Sequence, residues 1–323
     1  MQRLSLILAL TAIWAFAITE RLSAGKGLSA VSAEVTYQRN AQKPQREAGY
    51  GSPVQQGRLE NTSINESSGM VASRANPGTF WTHNDSGDGP FIYAFDRRGK
   101  SRGVWRVSGA SARDWEDIAA GPGLMKNRSY LYVGDIGDNS KKRATIEIYR
   151  FPEPTIAAED AVSTKIRPKL TADAETINLR YPDGKHDAET LLVHPVSGDL
   201  YVITKEFLGR AGIYKAAAPL DPSRTISLSH IGSLNVPSLL GGFVTGGDIS
   251  PDGRRVAICD YTQGYEAVIG AGRPFDEIWK QTLNVLELGS RRQGEAIAYR
   301  LDGRALLTTS EGVRSPLIEI VRK

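Results

Sequence analysis

The sequence predicts an all-β fold, a five-bladed β-propeller, and three observations lead there. A short segment in which a small or acidic residue precedes an apolar one recurs five times. After each copy come a turn and then an apolar strand that ends in polar residues. The composition, with Gly 33 and Pro 16 among 323 residues, supplies the tight turns that many short strands require.

The repeated starts are Ser68-Gly69-Met70, Glu116-Asp117-Ile118, Glu189-Thr190-Leu191, Gly247-Asp248-Ile249 and Glu295-Ala296-Ile297. The turns that follow read ANPG from Ala75, AGPG from Ala120, HPVSGD from His194, SPDG from Ser250 and RLDG from Arg300. Second strands are then expected at TFWTHND, YLYVGDIGDN, LYVITKE, RVAICDY and ALLTTSEG, and third strands from Phe91, Ile146, Gly212 and Leu317. Fourth strands are expected at Val104 to Val107, Ile177 to Tyr181, Ile226 to Leu234 and Leu283 to Leu288. Four short antiparallel strands per repeat make one blade.

The last unit ends after three strands at Lys323, so an N-terminal strand, Arg58 to Ile64, is expected to complete it and remove an open sheet edge. The polar insertion from Thr155 to Asp173 has no start segment of its own and is read as a surface loop or short helix. A six-bladed ring is the alternative if it forms a blade.

Three regions are expected. Residues 1–19 read as a secretory signal peptide, with a charged Met1-Gln2-Arg3, an apolar run from Leu4 to Ile18 and small residues at Ala15 and Ala17. The run is shorter than the roughly 20 residues that cross a bilayer comfortably, and an uncleaved N-terminal anchor is the alternative. Residues 20–56 read as a flexible linker and 57–323 as the propeller. Secretion or a periplasmic location follows, with membrane contact only through an uncleaved N-terminal segment.

Cys259 is alone, so no internal disulfide can form. The net charge of +4 is spread along the chain, without the basic stripe and interleaved aromatics of a nucleic-acid surface. The pairs and triplets Arg97-Arg98, Lys141-Lys142-Arg143, Arg254-Arg255 and Arg291-Arg292 sit beside turns and read as solvated loop tips. Trp81, Trp105 and Trp115 read as packing residues, with a carbohydrate surface as the alternative.

In a hairpin the start of one strand and the end of the next share a face. The strand starts therefore bring Glu116, Glu189 and Glu295 to one mouth of the axis, and the strand ends bring Asp85, Asp135, Lys205, Asp260 and Glu311. Clustered carboxylates repel one another unless a cation or hydrogen-bond donors offset them. Oxygen-only ligands point to a hard cation such as Ca²⁺, while acids that cap loops and tie blades together are the alternative. His83 beside Asp85 and the lysine at 205 are the candidate catalytic groups. No G-x-S-x-G elbow, P-loop or dinucleotide fingerprint is present.

The segments SGM, WEDIA, AETLL and GEAIA, with LYVGDIGDN, DLYVITKE and LLTTSEG, resemble the bacterial SdiA-regulated (YjiK-like) propellers, distantly related to NHL-repeat proteins. The likeness runs from about Gly57 to Lys323. It implies an exported or membrane-anchored five-bladed propeller with a calcium site at Glu116, Glu189 and Glu295 and no settled activity. Gly247 stands where the pattern expects Glu, so the site is either incomplete there or uses Asp248 instead.

Two functions fit these residues. One is a monomeric calcium-binding recognition or scaffold module of the cell envelope, whose partner is an envelope protein or a small molecule. The other is a metal-dependent hydrolase, lactonase-like or phosphoesterase-like, acting at the acidic mouth.

Overall fold

The computed structural model describes residues 49–237 and 241–323; the signal-peptide or anchor reading, and most of the linker, lie outside them. The strands form five small sheets, the five blades of a β-propeller.

The first strand in the chain, β1 (Val54–Arg58), is the last to be placed. The first blade is β2 (Ser67–Ala72), β3 (Thr79–Asn84), β4 (Phe91–Asp96) and β5 (Ser101–Arg106). Its outer edge takes on β9 (Lys169–Leu170), parallel to β5. The second blade is β6 (Trp115–Pro122), β7 (Ser129–Asp135), β8 (Ile146–Pro152) and β10 (Glu175–Arg180). The third is β11 (Ala188–Val193), β12 (Leu200–Thr204), β13 (Ala211–Ala216) and β15 (Ser229–Leu234). Between the last two of these comes β14 (Ile226–Ser227), which pairs with β10 of the second blade. The single strand expected over Ile226 to Leu234 is thus divided between two blades. The fourth blade is β16 (Gly246–Ile249), β17 (Arg255–Cys259), β18 (Gly264–Val268) and β19 (Asn284–Leu286). The fifth is β20 (Gly294–Tyr299), β21 (Ala305–Ser310) and β22 (Pro316–Val321), completed by β1.

The inner strands touch in the circular order β2, β6, β11, β16, β20 and back to β2. Closure uses Val54–Arg58 paired to Pro316–Val321, upstream of the segment expected. Leu59 and Ile64, assigned to that strand from their apolar character, are instead buried between the first and fifth blades. Both the closing strand and the insertion remove open edges. The insertion folds as a single 3₁₀ turn, Ala158–Val162, and the short β9, with an Asp160–Lys169 ion pair between them. It makes no sixth blade.

The core is divided among the blade interfaces. Val71, Trp81, Trp105 and Trp115 pack between blades one and two, and Tyr132, Ile148, Leu191 and Val202 between two and three. Leu192, Ile203, Ile258 and Tyr265 fill the next interface, and Cys259, Leu286, Ile297 and Leu306 the one after. Met70, Phe80, Ala298 and Leu307 close the circle. Successive residues on a strand point to opposite faces, so Leu191 and Leu192 serve different interfaces. Because both faces of each blade are covered, second strands such as β12, LYVIT, and β17, RVAIC, read as near-continuous apolar runs. The three tryptophans are packing residues, each at most 2% exposed.

Three of the basic clusters are more than loop tips. Arg143 and Arg255 are buried, the first against Asp135 and the second beside Glu266, and Arg291 donates to Thr308. Buried carboxylates draw Arg143 and Arg255 inward, since an unpaired internal charge is costly. At the turns, Gly253 and Gly303 take φ of 66° and 65°, a left-handed conformation that glycine adopts without strain.

Asp117 ties the ring together near its axis. Its carboxylate accepts from the amides of Ile118 at 2.8 Å and Leu191 at 2.9 Å, and from that of Gly247, so one side chain links blades two, three and four. Asp248 does the same between blades four and five, accepting from Ile249 and Tyr299, each at 2.8 Å. Leaving buried amides unpaired costs about 1–3 kcal/mol each. Asp117→Ala is therefore expected to destabilise the protein by at least about 2 kcal/mol, read as a lowered denaturant midpoint. An unchanged midpoint would mean that Asp117 does not hold the ring.

Candidate metal centre

The acidic mouth is built by a repeated irregularity. In blades two, three and five the inner strand holds one residue more than its partner strand at the same point. Trp115 faces Asp135 and Asp117 faces Gly134, leaving Glu116 unpaired. Ala188 faces Thr204 and Thr190 faces Ile203, leaving Glu189. Gly294 faces Ser310 and Ala296 faces Thr309, leaving Glu295. A β-bulge of this kind re-aims a side chain out of the ladder's alternation.

The first blade has the same irregularity between Ser67 and Met70, where Ser68 donates to the Glu116 carbonyl at 2.7 Å. The fourth blade has regular pairing, and Gly247 sits opposite Ile258. A Cβ at Gly247 would lie 3.0 Å from the Ala257 carbonyl and 3.1 Å from both Ile258 and Thr190 side chains. Asp248 does not substitute for the missing glutamate, because its oxygens are taken by the amides described above.

Glu116, Glu189 and Glu295 are 4%, 6% and 5% exposed, and the first and third feel the charge of Glu189. Burial, then Glu189, Asp85 and Asp114, push the Glu116 carboxyl well above the usual carboxylate range. Burial, then Glu311 and Glu189, do so for Glu295. Glu189 is also raised, chiefly by burial, although Lys205 pulls against it. Glu189 therefore lies within electrostatic reach of both Glu116 and Glu295.

The sharpest grouping is Asp85, Asp114 and Glu116, which can each bring one oxygen within 4.8 Å of the other two. Asp85 follows β3, while Asp114 immediately precedes β6, one residue before the bulge. Asp85 and Asp114 are half-buried and Glu116 buried. Over them lies the GDIGDN loop. A Cβ at Gly137 would collide with Glu116 and sit 2.5 Å from Asp114, so the bare backbone is what allows this close approach.

The loop is pinned from below. Arg143 pairs with Asp135 at 2.6 Å and donates to the Gly137 carbonyl at 3.0 Å. The Asp138 amide donates to Asp187 at 2.7 Å. Asp135 also accepts from the amides of Arg113 and Asp114, which makes it a support for the triad. Asp260 accepts from the amides of Thr262 and Gln263 and from the Thr262 and Tyr265 hydroxyls, shaping its own turn.

Lys205 lies on the other side of the mouth, ion-paired with Glu189 and near the Tyr261 hydroxyl at 3.3 Å. Its ammonium also rests 4.7 Å from the centre of the Phe243 ring. Burial opposes its charge, but Glu189 and Tyr261 outweigh it and raise its pKa. Burial and then the charge of Glu311 raise the Glu295 carboxyl, to which the Gln293 side-chain amide donates at 3.3 Å.

His83 does not reach this chemistry. It is fully buried, packs edge-on to Trp115, and contacts the Asn84 carbonyl through Nδ1 at 2.8 Å. Burial lowers its pKa to about 4, so it stays neutral at physiological pH.

The donor set fits a hard cation: three carboxylates, no sulfur and no imidazole, in a place where negative charge is in excess. The sequence pattern missed Asp114. Its signal is a D-x-E spacing, present as Asp114-Trp115-Glu116 and again as Asp187-Ala188-Glu189. Compared with known proteins, the chain matches no family model and no curated protein.

Burial and the charges of Asp85, Asp187 and Asp135 push the Asp114 carboxyl from 3.8 up to about 6. Between those two values the folded chain binds more protons than the unfolded one, so stability falls as pH rises through that window. The metal-free protein is expected to melt at a lower temperature at pH 7 than at pH 5, with Asp114→Asn flattening the difference. Thermal melts across that range in chelator check it, and a rise in melting temperature towards pH 7 would reverse the sign assigned.

Proposed function

We propose that this propeller is an exported, monomeric, calcium-dependent recognition or scaffold module of the cell envelope, akin to the SdiA-regulated propellers that its repeats resemble. The observation that carries the reading is the Asp85, Asp114 and Glu116 triad. Bound there, Ca²⁺ would offset the repulsion among the mouth's carboxylates and fix the Gly137 loop against blade two. Ca²⁺ accepts six to eight oxygens in a flexible shell, so three carboxylates leave positions for a ligand's oxygen or for water. The apolar run near the N-terminus supports export.

A hydrolase is the second reading, favoured by the half-buried setting of Asp85 and Asp114, which leaves the triad accessible to a small ester or phosphate. Against it stands His83, which is neutral, buried and bonded to its own strand. The Glu189-paired lysine is held as a cation and supplies charge in place of a base.

Calorimetric titration of the chelated protein with calcium chloride tests the metal. Binding of calcium with a higher melting temperature is expected, and Asp114→Asn or Glu116→Gln should weaken affinity at least about tenfold. A protein that neither binds calcium nor gains stability from it would end the reading. Turnover of a lactone or phosphoester panel by the calcium-loaded protein, lost in Glu116→Gln, would move the assignment to the hydrolase.

A further inference from the structure

The insertion on the outside of blade one is held firmly, yet it turns its apolar side chains to water. Val162, Ile166 and Leu170, all within nine residues, are 84%, 91% and 68% exposed. Their backbone is fixed at several points. Thr164 and Arg167 exchange backbone hydrogen bonds at 3.2 and 3.1 Å, which puts Lys165 and Ile166 at the tip of a two-residue turn. Lys165 anchors that tip, ion-paired with Asp88 and 5.3 Å from the centre of the Phe91 ring. Behind it the Ser163 hydroxyl accepts from the Val104 amide and donates to the Asp160 carbonyl, each at 2.7 Å. A Cβ at Gly103 would lie 2.6 Å from that same carbonyl, so bare backbone lets the insertion lie flat on β5. In β9, Leu170 pairs with Arg106, and an exposed aliphatic and an exposed guanidinium stand side by side on one face.

The charge around these side chains is one-sided. Residues 96–106, which form the turn into β5 and β5 itself, carry five cations and one acid, Asp96. The insertion from Thr155 to Asp173 carries three of each. The local surplus of four equals the formal net charge of the whole chain. Arg98, Lys100, Arg102 and Arg106 are all exposed.

We propose that this edge of blade one docks on an anionic phospholipid surface, with Val162, Ile166 and Leu170 entering the headgroup boundary and Arg102, Arg106 and Arg167 meeting lipid phosphates. Aliphatic side chains set on a basic face are the chemistry of an interfacial anchor, and each cation near an anionic leaflet adds to the attraction. The shape agrees. Ile166 stands on the tip of a turn, and a projecting point suits a deformable headgroup layer, whereas a protein partner would need a fitted groove. The calcium triad takes no part in this contact.

An environment-sensitive fluorophore on Ile166→Cys in the full chain tests this, since Cys259 is 1% exposed and stays unlabelled. The apolar run near the N-terminus is present in every sample, so the reading is taken at the tip itself. Vesicles of phosphatidylcholine mixed with phosphatidylglycerol are expected to shift the emission to the blue, and phosphatidylcholine alone to leave it unchanged. The same label on Val196→Cys, at an exposed turn of blade three, should not respond. Arg102→Glu/Arg106→Glu should weaken binding at least about tenfold, and added salt should weaken it too. Should that double variant fail to fold, Arg167→Glu carries the charge test, with a loss of at least about fivefold expected. No blue shift on the anionic vesicles overturns the proposal, as does an equal shift on neutral ones or an affinity that neither charge variant moves. A shift that appears without lipid and grows with protein concentration assigns the surface to a second copy of the chain and overturns it as well.

Discussion

Everything at the mouth of this propeller follows from carboxylates held close together where water is scarce. Glu116, Glu189 and Glu295 are almost fully enclosed, and the charge of Glu189 raises the proton affinity of the other two. A protein cannot leave such charges unanswered, because the penalty for burying an unpaired ion exceeds that of most single interactions in a fold. Three answers are visible side by side. Glu189 has an ammonium, Glu295 has the side-chain amide of Gln293, and Glu116 has two further carboxylates arranged as a cation would need them.

The ring makes that concentration of charge tolerable. Each blade contributes an apolar face to two neighbours, and the interfaces are filled by large side chains such as Trp81, Tyr132, Tyr265 and Phe80. Near the axis the inner strands are tied by buried polar bonds in place of packing: Asp117 reaches two other blades and Asp248 one. The Thr245 hydroxyl reaches the Gly294 carbonyl at 3.1 Å. In blade two the buried Asp117, one position after the bulge, thus stabilises the ring, while the bulged Glu116 before it loads the mouth with charge. Adjacent residues on a strand point to opposite faces, and here the two directions carry opposite consequences for stability.

Much of the fold could be read from the repeats. The five start segments mark the five inner strands, and TFWTHND, LYVITKE and ALLTTSEG end where β3, β12 and β21 end, within two residues. What the sequence hid were features that depend on neighbouring strands. The closing strand Val54–Arg58 is polar and carries little strand signal. Its partner β22 decides where it pairs, whereas Leu59 and Ile64 looked more strand-like because they are core residues. The third strand of blade four, Gly264–Val268, begins with a glycine and gave no clear pattern. At the site, hairpin geometry was enough to name Asp85 and Glu116 of the triad. It could not separate Asp135 and Asp260, which share the strand-end position but are engaged by Arg143 and by a local turn. Nor did it find Asp114, since a residue just outside the strand depends on the bulge for its direction.

Blade four shows why five equivalent repeats give a site with only three glutamates. Its inner strand has no extra residue, so the side chain at position 247 must follow the ladder's ordinary alternation, into Ile258 and Thr190. Only glycine fits without displacing them. Restoring the glutamate would thus require the bulge as well, an inserted residue and not a substitution. Blade one keeps the irregularity but places Ser68 there, and its hydroxyl turns to the Glu116 carbonyl. The divergence of these two blades leaves the carboxylates unevenly spread around the axis. An even ring of five would have repelled itself uniformly and offered no preferred position, whereas the uneven one leaves a three-oxygen corner beside blade two and a lysine-filled corner beside blade three.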